Sequence, residues 1–217
     1  VIGAMEIRVS PTRMQLLQLK KSHAMAVRGH KLLKDKLDEL MKQFLELVKR
    51  DRELREEVDE KLGEAFRGFL IARGAMSSSA VDAALMYPKE QISLKASRRH
   101  IMNIEVPEFE WSFEGQEDRT NIYPYGFAYT SPELDTAIRL LSEAMPSLVE
   151  LAEVEKSVEL LAGEIEKTRR RVNALEHVVI PQQEASIKYI TMKLDEAERA
   201  NITRLMKVKE IVGERSV

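Results

Sequence analysis

Apolar residues recur at alternating three- and four-residue steps over two long stretches of the chain. In the first, Leu16, Leu19, His23, Ala26, His30, Leu33, Leu37, Leu40, Phe44, Leu47, Asp51, Leu54 and Val58 keep a strict 3-4 spacing. That is the 3.5-residue period of a left-handed coiled coil. After Val58 the phase slips, and Leu62, Ala65 and Phe69 continue the stripe. The second stretch runs Val154, Val158, Leu161, Ile165, Thr168, Val172, Leu175, Val179 and Gln182. Past Pro181 it slips by one residue to Ile187, Ile190, Leu194, Ala197 and Asn201. Each stretch opens on a Ser-Pro pair, Ser10-Pro11 and Ser131-Pro132. A serine can cap there, and a proline at the first helical position gives up an N–H that has no partner anyway. Gly74 is placed to end the first helix. From Pro11 to Arg73 such a helix would run ~95 Å, too long to bury its stripe alone. The second helix is its nearest partner, and the antiparallel arrangement follows because one middle segment joins them at one end. Pro146 and Pro181 fall inside the second stretch and predict kinks or a restart.

The middle changes period. "SSSAVDAALMYP" predicts a short capped helix ending before Pro88. Ile92, Leu94 and Ala96 then alternate with polar residues, as do Met102, Ile104 and Val106, the period of two of half-buried strands. "SRRH", Ser97–His100, is the turn expected between them. Two aromatic ladders follow: Phe109, Trp111 and Phe113, then Tyr123, Tyr125, Phe127 and Tyr129. With Tyr87, this segment holds eight of the chain's twelve aromatic residues, so the expected helices are aliphatic and the middle is aromatic. The fold class expected is all-α dominated: a long antiparallel two-helix coiled coil with a small middle knob containing a β-hairpin and a short helix. The divisions are an N-terminal extension (1–9), an N-terminal coiled-coil helix (10–74), the knob with its aromatic loops (75–130) and a C-terminal coiled-coil helix (131–217).

Composition removes most chemistry. The 217 residues are 44% hydrophobic and 32% charged, a charge content suited to long exposed helices. The net charge of -2 gives no global drive towards nucleic acid or an anionic membrane. The absence of cysteine removes disulfides, thiolate nucleophiles and zinc hooks, and suits a reducing compartment. No apolar run approaches the ~20 residues of a membrane span, and "VIGAMEIRV" lacks the features of a signal peptide. Met5 reads as a natural start, with Val1 to Ala4 as an upstream extension. There is no phosphate loop, no dinucleotide fingerprint and no H-E-x-x-H. His23 and His30 lie ~10 Å apart along one helix face, too far for one metal ion, and read as polar layers in the seam. Asp51 is a third such layer, and polar seam residues fix register at a cost in stability. Neither His100 nor His177 is expected to act as a base. No enzyme and no cofactor is expected.

Charge is unevenly spread. Met5 to Arg50 holds eleven Lys/Arg against five acids, whereas Asp51 to Arg73 holds five against seven. Arg169, Arg170 and Arg171 stand in a row, with Glu166 three and four residues before the first two. That order favours intrahelical pairing and a solvated face. Arg171 has no carboxylate at helical spacing and is left to pair outside its helix.

"SPTRMQLLQLKK", "GHKLLKDKLDELMKQF", "TRRRVNALEHVVIPQ" and "KLDEAERANITRLMKVK" resemble the D subunit of the V-type/A-type rotary ATPases (ATP synthases). The resemblance extends from Met5 to about Glu214, in the length of the short prokaryotic forms. It implies a central rotor shaft, non-catalytic itself, that couples ATP hydrolysis or synthesis in the head to ion transport through the membrane ring. The implied partners are the catalytic and regulatory head subunits, the F subunit and the funnel-shaped subunit capping the membrane rotor ring. Nucleic acid and direct membrane insertion are not implied. The location would be cytoplasmic, peripheral to the cell membrane. Head contacts would come from Arg13, Lys20, Lys21, Arg28, Arg169, Arg170, Arg171, Arg204 and Lys207. Stalk-side contacts would come from Phe109, Trp111, Phe113, Tyr123, Tyr125, Phe127 and Tyr129. The competing readings are a prefoldin-like coiled-coil chaperone, which needs exposed apolar helix tips, and a structural coiled-coil adaptor, which needs no aromatic knob.

Overall fold

The computed structural model describes residues 10–114, 122–126 and 130–215. In chain order these form α1 (Arg13–Ala75), α2 (Ser78–Leu85), β1 (Gln91–Ile101), β2 (Ile104–Glu114), α3 (Pro132–Ala174), a π turn (Leu175–Val179) and α4 (Ile180–Arg215). The architecture is all-α dominated, with one two-stranded antiparallel hairpin. The chain divides into two compact units, one of Leu40–Ile165 and one of the segments Val1–Glu39 and Glu166–Val217.

In the Leu40–Ile165 unit, the seam positions of α1 and α3 are the buried ones. Leu40, Leu54, Val58, Ala65 and Ala72 are buried on α1, and Ala137, Ala144, Val154, Ser157 and Leu161 on α3. Phe44, Leu47, Val158 and Ile165 are half-buried. Ion pairs flank the seam, and the antiparallel direction shows where Ser147 meets Glu57 and Ala137 lies against Gly68. Arg50 Nη2 lies 2.6 Å from Glu150 Oε1, and Arg55 pairs with Glu155. Lys61 Nζ donates to Glu57 at 2.5 Å, and Ser147 Oγ donates to the same carboxylate at 3.0 Å. Together these hold the Glu57 carboxyl below its ordinary range. Asp51, the polar layer, is half-buried with Oδ2 3.8 Å from Arg55 Nη2. Pro146 interrupts no element, since α3 runs through it.

Small residues bring the helices close where α1 ends. A Cβ on Gly68 would sit 3.4 Å from Ala137 Cβ and 3.5 Å from the Glu133 carbonyl oxygen. Ala72, Ala84 and Leu134 form the core there, with Phe69, Met76, Tyr125 and Ile138 packed against it. Both following helices are capped as their serines predict. The Ser77 hydroxyl accepts from the Ala80 N–H at 3.3 Å, and the Ser131 hydroxyl from the Glu133 N–H at 3.3 Å. At α1 the cap differs from expectation. Thr12, not Ser10, accepts from the Gln15 N–H at 3.2 Å, and the helix starts at Arg13. A threonine three residues before a free N–H serves the capping role as well as serine.

The hairpin turn is the main correction within this unit. "SRRH" lies inside β1, whose register runs through Arg98↔Pro107, Arg99↔Val106 and His100↔Glu105 to Ile101↔Ile104. Met102 and Asn103 make the turn, so Met102 is not a strand residue. It takes φ 55, alone among the non-glycine residues described. A positive φ at the first central position is the pattern of a II′ turn, where glycine is usual. The missing Asn-Gly signal is thereby explained, because the turn is made at the expense of a side chain in a left-handed conformation. The strands are also longer than expected, and β2 carries Phe109, Trp111 and Phe113, which the sequence alone places in loops.

The other unit pairs the start of α1 with the end of the chain. Arg13 pairs with Glu198, Gln183 Nε2 donates to Ser22 Oγ at 3.1 Å, and His23 and His30 reach Glu184 and Glu176, each at 3.3 Å. From Arg13–Glu198 through His23–Glu184 to His30–Glu176, residue numbers rise on α1 and fall on its partner, which is antiparallel pairing. Thr168, Val172, Ser186 and Ile190 are buried. Gln182 is exposed and Gln183 takes its place at the seam. Ala197 and Asn201 are exposed as well. Beyond Glu198 no residue of α1 stands opposite among the described residues.

Leu54 is 1% exposed and Leu161 0%. Leu54→Ala or Leu161→Ala should therefore cost about 2–5 kcal/mol in a denaturant titration of the whole chain. A value near zero at both would mean the seam is not what holds the two helices together.

Candidate functional site

Two surfaces gather the residues singled out in the sequence, one in each unit. In the unit of Val1–Glu39 and Glu166–Val217, the basic positions lie on helix exteriors. Arg13, Lys20, Lys21, Arg28, Arg169, Arg170, Arg171, Arg204 and Lys207 are all exposed. Several are tied down locally. Arg170 pairs with Glu166 one turn before it, Lys207 Nζ lies 2.9 Å from Glu210, Arg28 Nε donates to the Ala24 carbonyl at 3.2 Å, and Arg13 holds Glu198. Arg169 and Arg171 make no ion pair among the described residues. Apolar side chains share this surface: Met14, Leu17, Ile202, Leu205, Met206, Val208, Ile211 and Val212 are exposed. The charges are present, but the helix faces between them are aliphatic.

In the Leu40–Ile165 unit the aromatic residues cluster on the hairpin and the segment that follows it. Because β2 has period two, Phe109, Trp111 and Phe113 share a face, opposite Ala96, Leu94 and Ile92 of β1. Trp111 and Phe113 pack edge to face with ring centroids 5.4 Å apart, and Tyr123 and Tyr125 tilt together at 6.2 Å. All five are half-buried. None is fully sequestered. Phe127 and Tyr129 lie outside the described residues. The Phe109 N–H donates to Glu153 Oε2 at 2.9 Å, tying β2 to α3. Tyr125 donates its hydroxyl to Asp135 Oδ1 at 2.8 Å. Burial, then the Asp135 carboxylate, push the phenol well above its ordinary range, so it stays a donor.

Among the described residues neither surface gathers a recognisable set of reacting groups. A cleft of about 560 Å³ beside the aromatic residues is lined by Glu90, Phe113, Ile122, Tyr123, Arg139 and Ser142, among others. Its charged groups are already matched, Glu90 by Ser142 at 2.8 Å and Arg139 by Glu143 at 2.9 Å. Among the described residues no group of three His, Asp or Glu could hold a metal ion, and no helix is long and apolar enough to cross a membrane. What both surfaces do offer is docking area: half-buried aromatic rings on one, aliphatic faces edged with arginine and lysine on the other. Aromatic and arginine side chains are the residue types that dominate protein interfaces. Sequence reasoning did not single out the exposed aliphatic faces. Their signal, apolar residues off the heptad seam such as Leu17 and Leu205, was present in the chain.

Comparison with known proteins bears on which interfaces these are. The family model for the D subunit of ATP synthase matches residues 15–210. The V-type ATP synthase D subunit of Acetivibrio thermocellus is 60% identical over 210 residues, 97% of this chain and 94% of that protein. The corresponding subunit of a Thermoanaerobacter species is 56% identical over 206 residues, 95% of this chain and 97% of its own length. That of Clostridioides difficile is 55% identical over 206 residues, covering 95% and 92%.

Tyr125→Phe removes one half-buried hydrogen bond and should lower stability by about 1 kcal/mol, read by thermal or denaturant unfolding. No change would mean that Asp135 finds an equal partner in water.

Proposed function

Because the chain belongs to the ATP synthase D-subunit family, we propose that it is the central rotor shaft of a V/A-type rotary ATPase. In this reading it couples ATP hydrolysis or synthesis in the head to ion movement through the membrane ring. It performs no catalysis, and nucleotides are handled by the head subunits. The observation that carries the reading is the antiparallel pairing in the unit that holds the basic positions. Helices aligned by Arg13–Glu198, His23–Glu184 and His30–Glu176 present aliphatic and basic side chains outwards, with no pocket required. A ring of head subunits would cover Leu17, Leu205 and Met206 and meet Arg13, Lys20, Lys21, Arg28, Arg169, Arg170, Arg171, Arg204 and Lys207. The F subunit and the funnel-shaped subunit would take the aromatic side, through Phe109, Trp111, Phe113, Tyr123 and Tyr125. The protein then sits on the cytoplasmic face, peripheral to the membrane. The chaperone and adaptor readings are not favoured by the family match. Exposed apolar tips, which a chaperone would use for clients, serve equally as a surface sheathed by a ring.

Charge at the collar suits a contact that is made and released in turn. Successive residues of a helix step by ~100°, so Arg169, Arg170 and Arg171 cannot all face one partner. Exposed ion pairs are worth only ~0–1 kcal/mol and break readily. Three similar head sites, met one after another, call for weak contacts of this kind.

The test is reconstitution of head, shaft and stalk partners. Trp111→Ala should weaken stalk binding by at least ~2 kcal/mol while the head with its shaft still hydrolyses ATP. Loss of head binding with stalk binding intact would invert the proposed orientation. Single Arg→Ala changes at 169, 170 or 171 should leave folding intact and alter turnover slightly. Changing all three to glutamate should impair ATP hydrolysis at low salt. The defect should fade as salt rises, since the Debye length falls to ~3 Å at 1 M. A triple variant that assembles and turns over normally at low salt would leave the collar as a solvated face.

A further inference from the structure

The two histidine layers are seven residues apart on α1, at His23 and His30, but their partners Glu184 and Glu176 are eight apart. The one-residue difference matches what a π turn adds, and such an extra residue rotates everything beyond it by ~100°. The extra residue is taken up between the two glutamates, in the π turn Leu175–Val179. There the Ile180 N–H bonds to the Leu175 carbonyl, five residues back instead of four. Pro181 follows directly. A proline has no N–H to give and its ring crowds the carbonyl four residues before it, here that of His177. A widened turn relieves that crowding. The one-residue slip of the apolar stripe, with Gln183 and Ile190 turned inward where an unbroken heptad from Val179 puts Gln182 and Tyr189, is the same event seen in the packing.

We propose that Pro181 and the π turn act as a register adjuster. They absorb one residue so that the Glu176 and Glu184 layers close on His30 and His23 together. They thereby set the rotational phase at which α4 displays Arg204 and Lys207, relative to Arg169–Arg171 before the turn. The residues that carry this positioning role are Pro181, His23, His30, Glu176 and Glu184. The part that concerns what α4 displays to a head subunit rests on the function proposed above; the register itself does not.

The chain has no native cysteine, so disulfide trapping can read the register in the full-length protein. Ser22→Cys is combined in turn with Gln182→Cys, Gln183→Cys or Glu184→Cys, and the fastest-closing pair is identified. In the native background it should be the Gln183→Cys pair, since Gln183 meets Ser22 at 3.1 Å. Val178 is then deleted and Pro181→Ala made at the same time. The π turn should revert to plain helix, and the fastest pair should remain at the residue that was Gln183. A shift of the fastest pair by one residue overturns the proposal, as does a deleted chain that no longer folds, because an uninterrupted helix in this register is what the proposal requires. Pro181→Ala alone should let the neighbouring pairs compete; unchanged exclusivity of the Gln183→Cys pair would remove proline from the device. ATP hydrolysis by the deletion variant with reconstituted head subunits is the separate arm. Kept register with lost turnover counts against the shaft function and leaves the register adjuster standing.

Discussion

An α-helix with a narrow apolar stripe cannot bury it alone, and this protein resolves that constraint by laying one stripe against another. In the Leu40–Ile165 unit Leu40, Leu54 and Val58 of α1 and Val154 and Leu161 of α3 are the residues removed from water. Removal of apolar surface is the dominant favourable term available to such a pair. The flanking pairs, Arg50–Glu150 and Arg55–Glu155, are exposed and add little stability. The same division holds in the other unit, where Thr168, Val172 and Ile190 are buried while His23 and His30 lock polar partners across the seam. Hydrophobic burial holds the helices together, and polar contacts decide in which register.

Periodicity makes most of this legible. A 3-4 rhythm sustained from Leu16 to Val58 has no reading other than a long paired helix, and serines at Ser77 and Ser131 cap where their hydroxyls predict. The slip past Pro181 is visible as a change of phase. Its cause is not, because a π turn and a kink leave the same trace in a run of apolar positions. The hairpin tip is hidden for a related reason. Turn prediction leans on glycine and asparagine, and Met102 adopts φ 55 without either advantage. At α1 a hydroxyl two residues nearer the helix outcompetes the serine of the Ser-Pro pair.

The candidate surfaces are legible as composition and not as roles. Arginine in a row and aromatic residues at alternate positions are visible in any reading of the chain. Whether Trp111 or Arg171 is half-buried, paired or open depends on distant segments, such as α3 supplying Glu153 to the Phe109 N–H. The aliphatic faces around Leu17 and Leu205 lie off the seam, where no periodic signal marks them. Their exposure gives physical sense to a protein that has docking surfaces and no assembled site for chemistry among its described residues.

A shaft differs from every static subunit in one respect, which is that it turns. The decisive measurement fixes the head subunits to a surface, attaches a bead to this chain through a cysteine introduced on the hairpin, and supplies ATP. The account predicts unidirectional rotation of the bead in steps that follow turnover. A bead that stays fixed to the head while ATP is hydrolysed would contradict it.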